Sequence, residues 1–164
     1  MELEGSLADL SLANLLSKAN ADDKDLRYGF QIGNINLIYD VNTACELLKS
    51  TTIHAVPNTP KWMLGLINLR GGLVPVFDIE KYFDFEPRED KHQLLLVLGK
   101  GEKAVAFLLK EYPELVRNLT HLDTIPKLIP KIDGYILGAY KEKKLWLELD
   151  KEKFFSTLGE KVCI

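Results

Sequence analysis

Three hairpin patterns constrain the fold of this 164-residue chain more than any other feature. In the first, Tyr28, Phe30 and Ile32 fall on one side of a predicted strand, and a second alternating run follows the turn Gly33-Asn34. Such a pattern predicts two antiparallel strands joined by a tight turn. The other two patterns lie at 93–110 and 135–149, around turns at 99–102 and 141–144. Short strands joined as hairpins, with few long helical windows, predict a mainly β protein of small antiparallel barrels.

The length suits one domain or two small lobes that share a core, and the number of hairpins favours two lobes. Short helices are predicted at 79–83 and 151–158. The segments 51–60 and 125–130 each carry two prolines, so we expect extended connections that cross between or around the lobes. In the last predicted strand apolar residues alternate with Trp146 and Glu148, which predicts an edge or outer strand.

Residues 1–25 have a different pattern and are predicted to be an extension of the two-lobed domain at 26–158. Apolar residues recur there at roughly helical spacing, namely Leu7, Leu10, Leu15, Leu16 and Ala19. A polar stretch at 20–25 then reads as a linker. We therefore predict a short amphipathic helix on a tether, and we favour packing on its own domain over docking to a partner.

Composition narrows the class of function. The net charge of −3 argues against a surface that follows nucleic-acid phosphates. His54, His92 and His121 lie far apart without metal-ligand spacing, so neither a metal nor another cofactor is predicted. Cys45 is predicted to be a small core residue, and Cys163 forms no lipidation box. The acidic N-terminus and the absence of a long apolar window predict a cytoplasmic protein without membrane insertion.

The stretch 61–83, KWMLGLINLRGGLVPVFDIEKYF, places a single arginine inside an apolar run. If 67–70 is a strand, Asn68 and Arg70 share one face and the apolar residues beside them share the other. The two following glycines and Pro75 predict a bulged or edge strand. Such a surface suits docking of another protein, because arginine is favoured at interface centres. An internal ion pair, with Glu46 or Asp78, is an equally open alternative.

The longer run 56–83 resembles the central motif of the CheW-like chemotaxis coupling family. The matching features are Val56-Pro57, Pro60, Gly65, Asn68-Leu69-Arg70-Gly71, Pro75-Val76 and Asp78-Ile79. Looser similarity extends the match to about residues 26–158. The resemblance implies two packed five-stranded SH3-like barrels and a non-enzymatic adaptor. It further implies that the partners are the cytoplasmic tips of chemoreceptors and a CheA-type histidine kinase, and that the protein joins receptor arrays at the membrane.

The resemblance also suggests the residues that bind the receptor. Arg70 would donate to receptor backbone or carboxylate groups or hold Glu46 in place, Gly65 would allow close approach, and Asn68 would lie beside them. It suggests no residues for the kinase surface. Trp62 and the short, modestly charged second half are similar to the PilI branch, which serves type IV pilus twitching motility.

Two rival functions can be stated from the residues. An enzyme would have to use candidates such as His54, Cys45, Glu46 and Asp78, yet none of them lies in a nucleophile elbow, a phosphate-binding loop or a metal array. A small-barrel nucleic-acid binder would use stacking aromatics such as Trp62, but the net negative charge favours a packing role for them. A binding module for some other protein is the third possibility.

Overall fold

The computed structural model describes residues 26–40, 45–87 and 93–162. Its strands are β1 (Arg27–Ile32), β2 (Ile35–Asp40), β3 (Cys45–Lys49), β4 (Met63–Leu69), β5 (Gly72–Phe77), β6 (Leu94–Leu98), β7 (Val105–Leu109), β8 (Glu114–Val116), β9 (Thr120–Leu122), β10 (Ile136–Glu142) and β11 (Lys144–Leu149). Its α-helices are α1 (Ile79–Tyr82), α2 (Pro130–Asp133) and α3 (Lys151–Val162), and Gly101–Lys103 forms a 3₁₀ turn. The predicted N-terminal helix and Cys163 lie outside the described residues.

The strands form two sheets that correspond to the two predicted lobes. The six-stranded sheet has the order β8-β1-β2-β11-β10-β9, and the five-stranded sheet has the order β3-β6-β7-β5-β4. The chain passes to the five-stranded sheet after β2 and returns after β7. The mainly β, two-barrel fold class is confirmed. One lobe has six strands instead of the predicted five, because the three-residue strands β8 and β9 flank it.

The three hairpins are confirmed, with shifts at their turns. Strands β1 and β2 pair up to Ile32 and Ile35, around the predicted turn. Strand β7 begins later than predicted, since the residues before Val105 form the 3₁₀ turn. The turn between β10 and β11 is shorter than predicted and consists of Lys143 alone. Its φ of 52° allows Glu142 and Lys144 to pair directly.

Two strands lie deeper in their sheets than predicted. Strand β11 is not an edge strand, because it pairs with β2 on one side and with β10 on the other. Its Trp146 is buried, and the indole N–H donates to the carbonyl of Glu142. Strand β5 is also flanked on both sides, and the bulge lies instead in β4. Pro75 fits there because its partner Leu66 directs both backbone groups to His54, away from β5.

The helices and connections differ from prediction mainly in extent. Helix α1 ends at Tyr82, one residue earlier than predicted, and α3 continues to Val162. The proline-bearing segments do not cross between lobes. The segment 51–60 connects β3 to β4 within the five-stranded sheet, and 125–130 connects β9 to α2. The chain changes lobe between β2 and β3 and between β7 and β8, and neither of these connections carries two prolines.

One large apolar core joins the lobes. Phe30 of the six-stranded sheet lies 5.2 Å from Phe107 of the five-stranded sheet, measured between ring centroids. Helix α3 adds Phe155, which stacks on Phe107, and Phe154, which contacts the ring of Tyr82. A second apolar cluster fills the interior of the five-stranded barrel, formed by Leu48, Ile67, Val74, Val76, Leu95, Val97, Ala104 and Ala106. The lobes therefore share one core.

Two buried tyrosines in the six-stranded sheet have raised pKa values. The hydroxyl of Tyr28 has no hydrogen-bond partner among the described residues, whereas that of Tyr39 lies beside Cys45. Burial, with a smaller contribution from the charge of Cys45, raises the pKa of Tyr28 to about 12 and also raises the pKa of Tyr39. Cys45 itself is half-buried at the margin of the core, so it is less enclosed than predicted.

Replacing Tyr28 with Phe should make the protein more tolerant of alkali. At neutral pH we expect a change of less than about 1 kcal/mol in the free energy of unfolding, because the lost hydroxyl has no partner among the described residues. Because the pKa of Tyr28 is higher in the folded state than in the unfolded chain, its full contribution to the free energy of unfolding is present below about pH 10. That contribution is lost as the pH rises towards the folded-state pKa. Near pH 11 the wild type should have lost roughly 1.4 kcal/mol that Tyr28→Phe retains. Urea unfolding at both pH values measures this, with the exposed Tyr112→Phe as control; equal alkaline losses in all three proteins would contradict it.

Candidate functional site

Arg70 lies in the turn between β4 and β5, not on the strand as predicted. The turn consists of Arg70 and Gly71, because Leu69 pairs with Gly72. Both turn residues have positive φ, 50° and 81°, as a two-residue turn of type I′ requires. The Oδ1 atom of Asn68 accepts a hydrogen bond from the backbone N–H of Gly71 at 3.1 Å. Asn68 therefore fixes the turn that presents the guanidinium.

The guanidinium binds Glu46 through both of its terminal nitrogens. Arg70 Nη1 lies 2.6 Å from Glu46 Oε2, and Nη2 lies 2.9 Å from Oε1. The side chain of Arg70 is 68% exposed, whereas that of Glu46 is 14% exposed. Of the two partners left open by the sequence, Glu46 is the one found. Asp78 is buried and accepts a hydrogen bond from the N–H of Lys81 at the start of α1.

This ion pair connects the two edges of the five-stranded sheet. Glu46 belongs to β3 at one edge, and Arg70 follows β4 at the other. Two edge strands can share a bidentate contact only if the sheet curls until its edges approach. The pair therefore closes one end of the barrel, and much of the guanidinium is still open to solvent.

A cavity of about 590 Å³ opens at the same end of the barrel. Its lining comes from all five strands or their adjoining turns, and consists of Cys45, Glu46, Leu69, Arg70, Gly72, Leu73, Val74, Val97, Gly99, Lys100, Gly101, Glu102 and Ala104. Charged groups surround an apolar floor that continues into the barrel interior. Leu73 lies on this rim with 66% of its surface exposed. We call this cavity and its rim the barrel mouth.

Gly65 is buried against the protein's own chain. A Cβ atom at this position would lie 2.2 Å from the carbonyl oxygen of His54, and φ is 143°. That close approach permits the two backbone hydrogen bonds between His54 and Leu66, at 2.8 and 2.9 Å. Among the predicted receptor-binding residues, the structure thus brings Glu46, Asn68 and Arg70 together at the barrel mouth. It places Gly65 inside β4, where it supports the connection from β3.

Of the residues considered for an enzyme, Cys45 and Glu46 line the cavity, whereas His54 and Asp78 do not. His54 is exposed and is not among the residues that line the barrel mouth. Within the described ranges, no group of three or more His, Cys, Asp or Glu side chains could hold a metal ion. None of the described helices is long and apolar enough to cross a membrane. The cavity and the exposed Leu73 were missed from the sequence, since they depend on how the barrel ends meet.

The fold and the site together define a class. This is a small β protein of two fused barrels, with an exposed charged pair at the mouth of one of them. A family model described as "CheW-like domain" matches residues 28–158. The chain belongs to the CheW-like domain family.

Curated relatives and a solved structure agree with that assignment. The chain is 29% identical to "Chemotaxis protein CheW" of Thermotoga maritima, with 80% of this chain and 88% of that protein covered. It is 25% identical to "Chemotaxis protein CheW" of Helicobacter pylori, with coverage of 77% and 78%. The crystal structure of scaffolding protein TtCheW from Thermoanaerobacter tengcongensis matches with a TM-score of 0.63 at 19% identity. That match covers 76% of this chain and 87% of the other.

Proposed function

We propose that the protein is a non-enzymatic adaptor that couples chemoreceptors to a CheA-type histidine kinase. The observation that carries this proposal is the exposed Arg70–Glu46 pair at the barrel mouth of a CheW-like domain. Proteins named for chemotaxis match most of the chain, which supports a role in that signalling class. The adaptor acts by contact, and we propose no bond-making step for it.

The barrel mouth is the surface that we assign to the receptor. An exposed arginine held in a planar, bidentate contact presents its guanidinium to solvent in a fixed direction. Glu46 fixes this orientation, and the exposed Leu73 supplies apolar contact area beside it. A helical receptor tip with a carboxylate or free backbone carbonyl groups near an apolar side chain would satisfy both features. Asn68 and Gly65 contribute indirectly, by holding the turn and the neighbouring strand.

Arg70→Ala should weaken binding of a receptor fragment by well over tenfold while the fold stays intact. Truncating an arginine at an interface centre typically costs about 2 kcal/mol or more. The loss of stability should be much smaller, under about 1 kcal/mol, because the pair is largely exposed on the arginine side. Titration calorimetry measures the affinity, and thermal unfolding checks the fold.

Three further variants test how Arg70 acts. If Glu46 only positions the guanidinium, Glu46→Ala should weaken binding and should add little in the double variant. Lys141→Ala removes an exposed cation from the six-stranded sheet and should bind like the wild type. Wild-type affinity in Arg70→Ala would remove the receptor assignment, and equal losses in Arg70→Ala and Lys141→Ala would reduce it to a general charge effect.

Kinase binding, location and output are further parts of the proposal. We propose that the kinase docks elsewhere on the two lobes, and that the adaptor acts in the cytoplasm beside membrane receptor arrays. The PilI assignment stays a prediction. Trp62 is half-buried and packs on Phe77 and Tyr82, so its role in the fold is structural. Co-purification with a CheA-type kinase from the native host would test the kinase link, and retention of only unrelated proteins would oppose it.

A further inference from the structure

Cys45 lies between the shared core and the solvent. It is the first residue of β3, and its half-buried side chain packs against the core between the lobes, on the face of β3 opposite Glu46. Cys45 also lines the barrel mouth. A small molecule from solvent can therefore reach this thiol, while its other side faces the protein interior.

Two tyrosine hydroxyls approach this thiol from the six-stranded sheet. Tyr28 on β1 and Tyr39 on β2 are directly opposite each other, and their ring centroids are 5.3 Å apart. Both rings belong to the core against which Cys45 packs. The hydroxyl of Tyr39 lies beside Cys45, and the charge of a Cys45 thiolate acts on the hydroxyl of Tyr28 as well. The buried side of the sulfur therefore has two hydroxyl groups near it.

The hydroxyl of Tyr28 is a donor that no described residue uses. Tyr28 is fully buried, and its oxygen has no hydrogen-bond partner among the described residues. Buried polar groups are almost always paired, so an exception requires an explanation, and a redox role is one such explanation. An oxygen atom bonded to the sulfur of Cys45 would be a suitable acceptor for this hydroxyl.

We propose that a hydroperoxide oxidises Cys45 to a sulfenic acid, whose oxygen accepts a hydrogen bond from Tyr28. The sulfur attacks one oxygen of hydrogen peroxide, so that an S–O bond forms and the O–O bond breaks. The other oxygen takes the thiol proton and leaves as water. The sulfur thereby loses two electrons, and the peroxide is reduced. The hydroxyl of Tyr39 beside the sulfur favours the reactive thiolate, because a nearby donor stabilises the charged form.

The surroundings of Cys45 also favour persistence of the sulfenic acid. Such a group is lost when it condenses with a second thiol or is oxidised further. Within the described ranges Cys45 is the only cysteine, and the core side of its side chain faces apolar and aromatic groups. The lifetime of the sulfenic acid should therefore depend on the hydrogen bond from Tyr28.

Trapping with dimedone, which reacts with sulfenic acids, tests the proposal. In the full-length Cys163→Ser protein, Cys45 is the only thiol. Hydrogen peroxide is added, catalase removes the excess, and dimedone follows after increasing delays, with mass spectrometry reading the adduct on Cys45. In Tyr28→Phe the half-life of the sulfenic acid should shorten at least about fivefold, because its oxygen loses a donor. The control Tyr112→Phe changes an exposed tyrosine and should stay within about twofold of the background.

Each result decides the proposal. Absence of an adduct on Cys45 of the folded protein would overturn it, and so would equal half-lives in Tyr28→Phe and the background. Equal shortening by Tyr112→Phe would also reject it, since the effect would not depend on the buried hydroxyl. Working well below the lowest melting temperature keeps the comparison valid if Tyr28→Phe is less stable. No receptor or kinase is present, so the oxidation is tested independently of the adaptor function, whereas any effect on the neighbouring Glu46 at the receptor surface rests on it.

Discussion

Glu80→Ala should destabilise the protein by about 3 kcal/mol, because it removes a buried carboxylate that joins the two lobes. Glu80 Oε1 accepts a hydrogen bond from the N–H of Gly33 at 2.7 Å, and Oε2 lies 3.0 Å from Lys110 Nζ. Gly33 belongs to the turn of the six-stranded sheet, while Glu80 and Lys110 follow strands of the five-stranded sheet. Both charged side chains are largely buried. Breaking such a pair by removing one partner costs roughly 3 to 5 kcal/mol.

Two companion variants separate the charge from the hydrogen bond. Glu80→Gln keeps an acceptor for Gly33 but loses the charge that faces Lys110, so we expect an intermediate loss. The control Glu86→Ala removes an exposed carboxylate and should change the free energy of unfolding by less than about 0.5 kcal/mol. Urea unfolding at neutral pH measures all three. If Glu80→Ala unfolds at the same urea concentration as Glu86→Ala, the carboxylate does not hold the lobes together.

Gly65→Ala should cost about 3 kcal/mol and should disconnect the β3–β4 connection from the sheet. The added methyl group would lie 2.2 Å from the carbonyl oxygen of His54, a backbone atom that cannot rotate away. The φ of 143° adds strain for any residue with a Cβ atom. Relief requires movement of 54–55, which breaks the hydrogen bonds between His54 and Leu66. Hydrogen exchange should therefore show faster exchange of these two amides.

Gly71→Ala is the control that isolates the conformational cost. Gly71 also has positive φ, 81°, but a Cβ atom there would meet nothing within 4 Å. We expect a loss of about 1 kcal/mol, due to backbone strain alone. Similar losses of stability in Gly65→Ala and Gly71→Ala would show that the contact with His54 adds no cost beyond backbone strain. The receptor affinity of Gly65→Ala, measured at a temperature where it is folded, then tests whether this glycine has any direct role in binding.

The sequence predicted the fold class well because the hairpin signals are local. The turn at Gly33-Asn34 and the alternation before it depend only on neighbouring residues, and the structure has both. The position of β11 depends on a distant contact. Trp146 can be buried because Gly29, in another strand, has no Cβ atom, and one would lie 2.5 Å from the indole ring. A glycine inside an otherwise aromatic strand was the available signal.

The candidate site was predicted in its residues but not in its geometry. Alternation around Ile67 predicted that Arg70 lies on a strand. In the structure β4 ends at Leu69, and Arg70 and Gly71, both with positive φ, form the turn that follows it. The sequence therefore gave the partners of the ion pair as alternatives and could not choose Glu46. Glu80 was missed altogether, since nothing in a short helix indicates that a lysine thirty residues away will meet its carboxylate.

The order in which the strands enter the two sheets has a consequence for synthesis on the ribosome. The five-stranded lobe is built from one continuous stretch, β3 to β7, so all of its partners are available once that stretch has emerged. The other lobe places β2 beside β11, which is translated more than a hundred residues later. Hairpin β1–β2 must therefore wait with an unpaired edge until β11 has emerged. The nascent chain would be most vulnerable to aggregation during that interval.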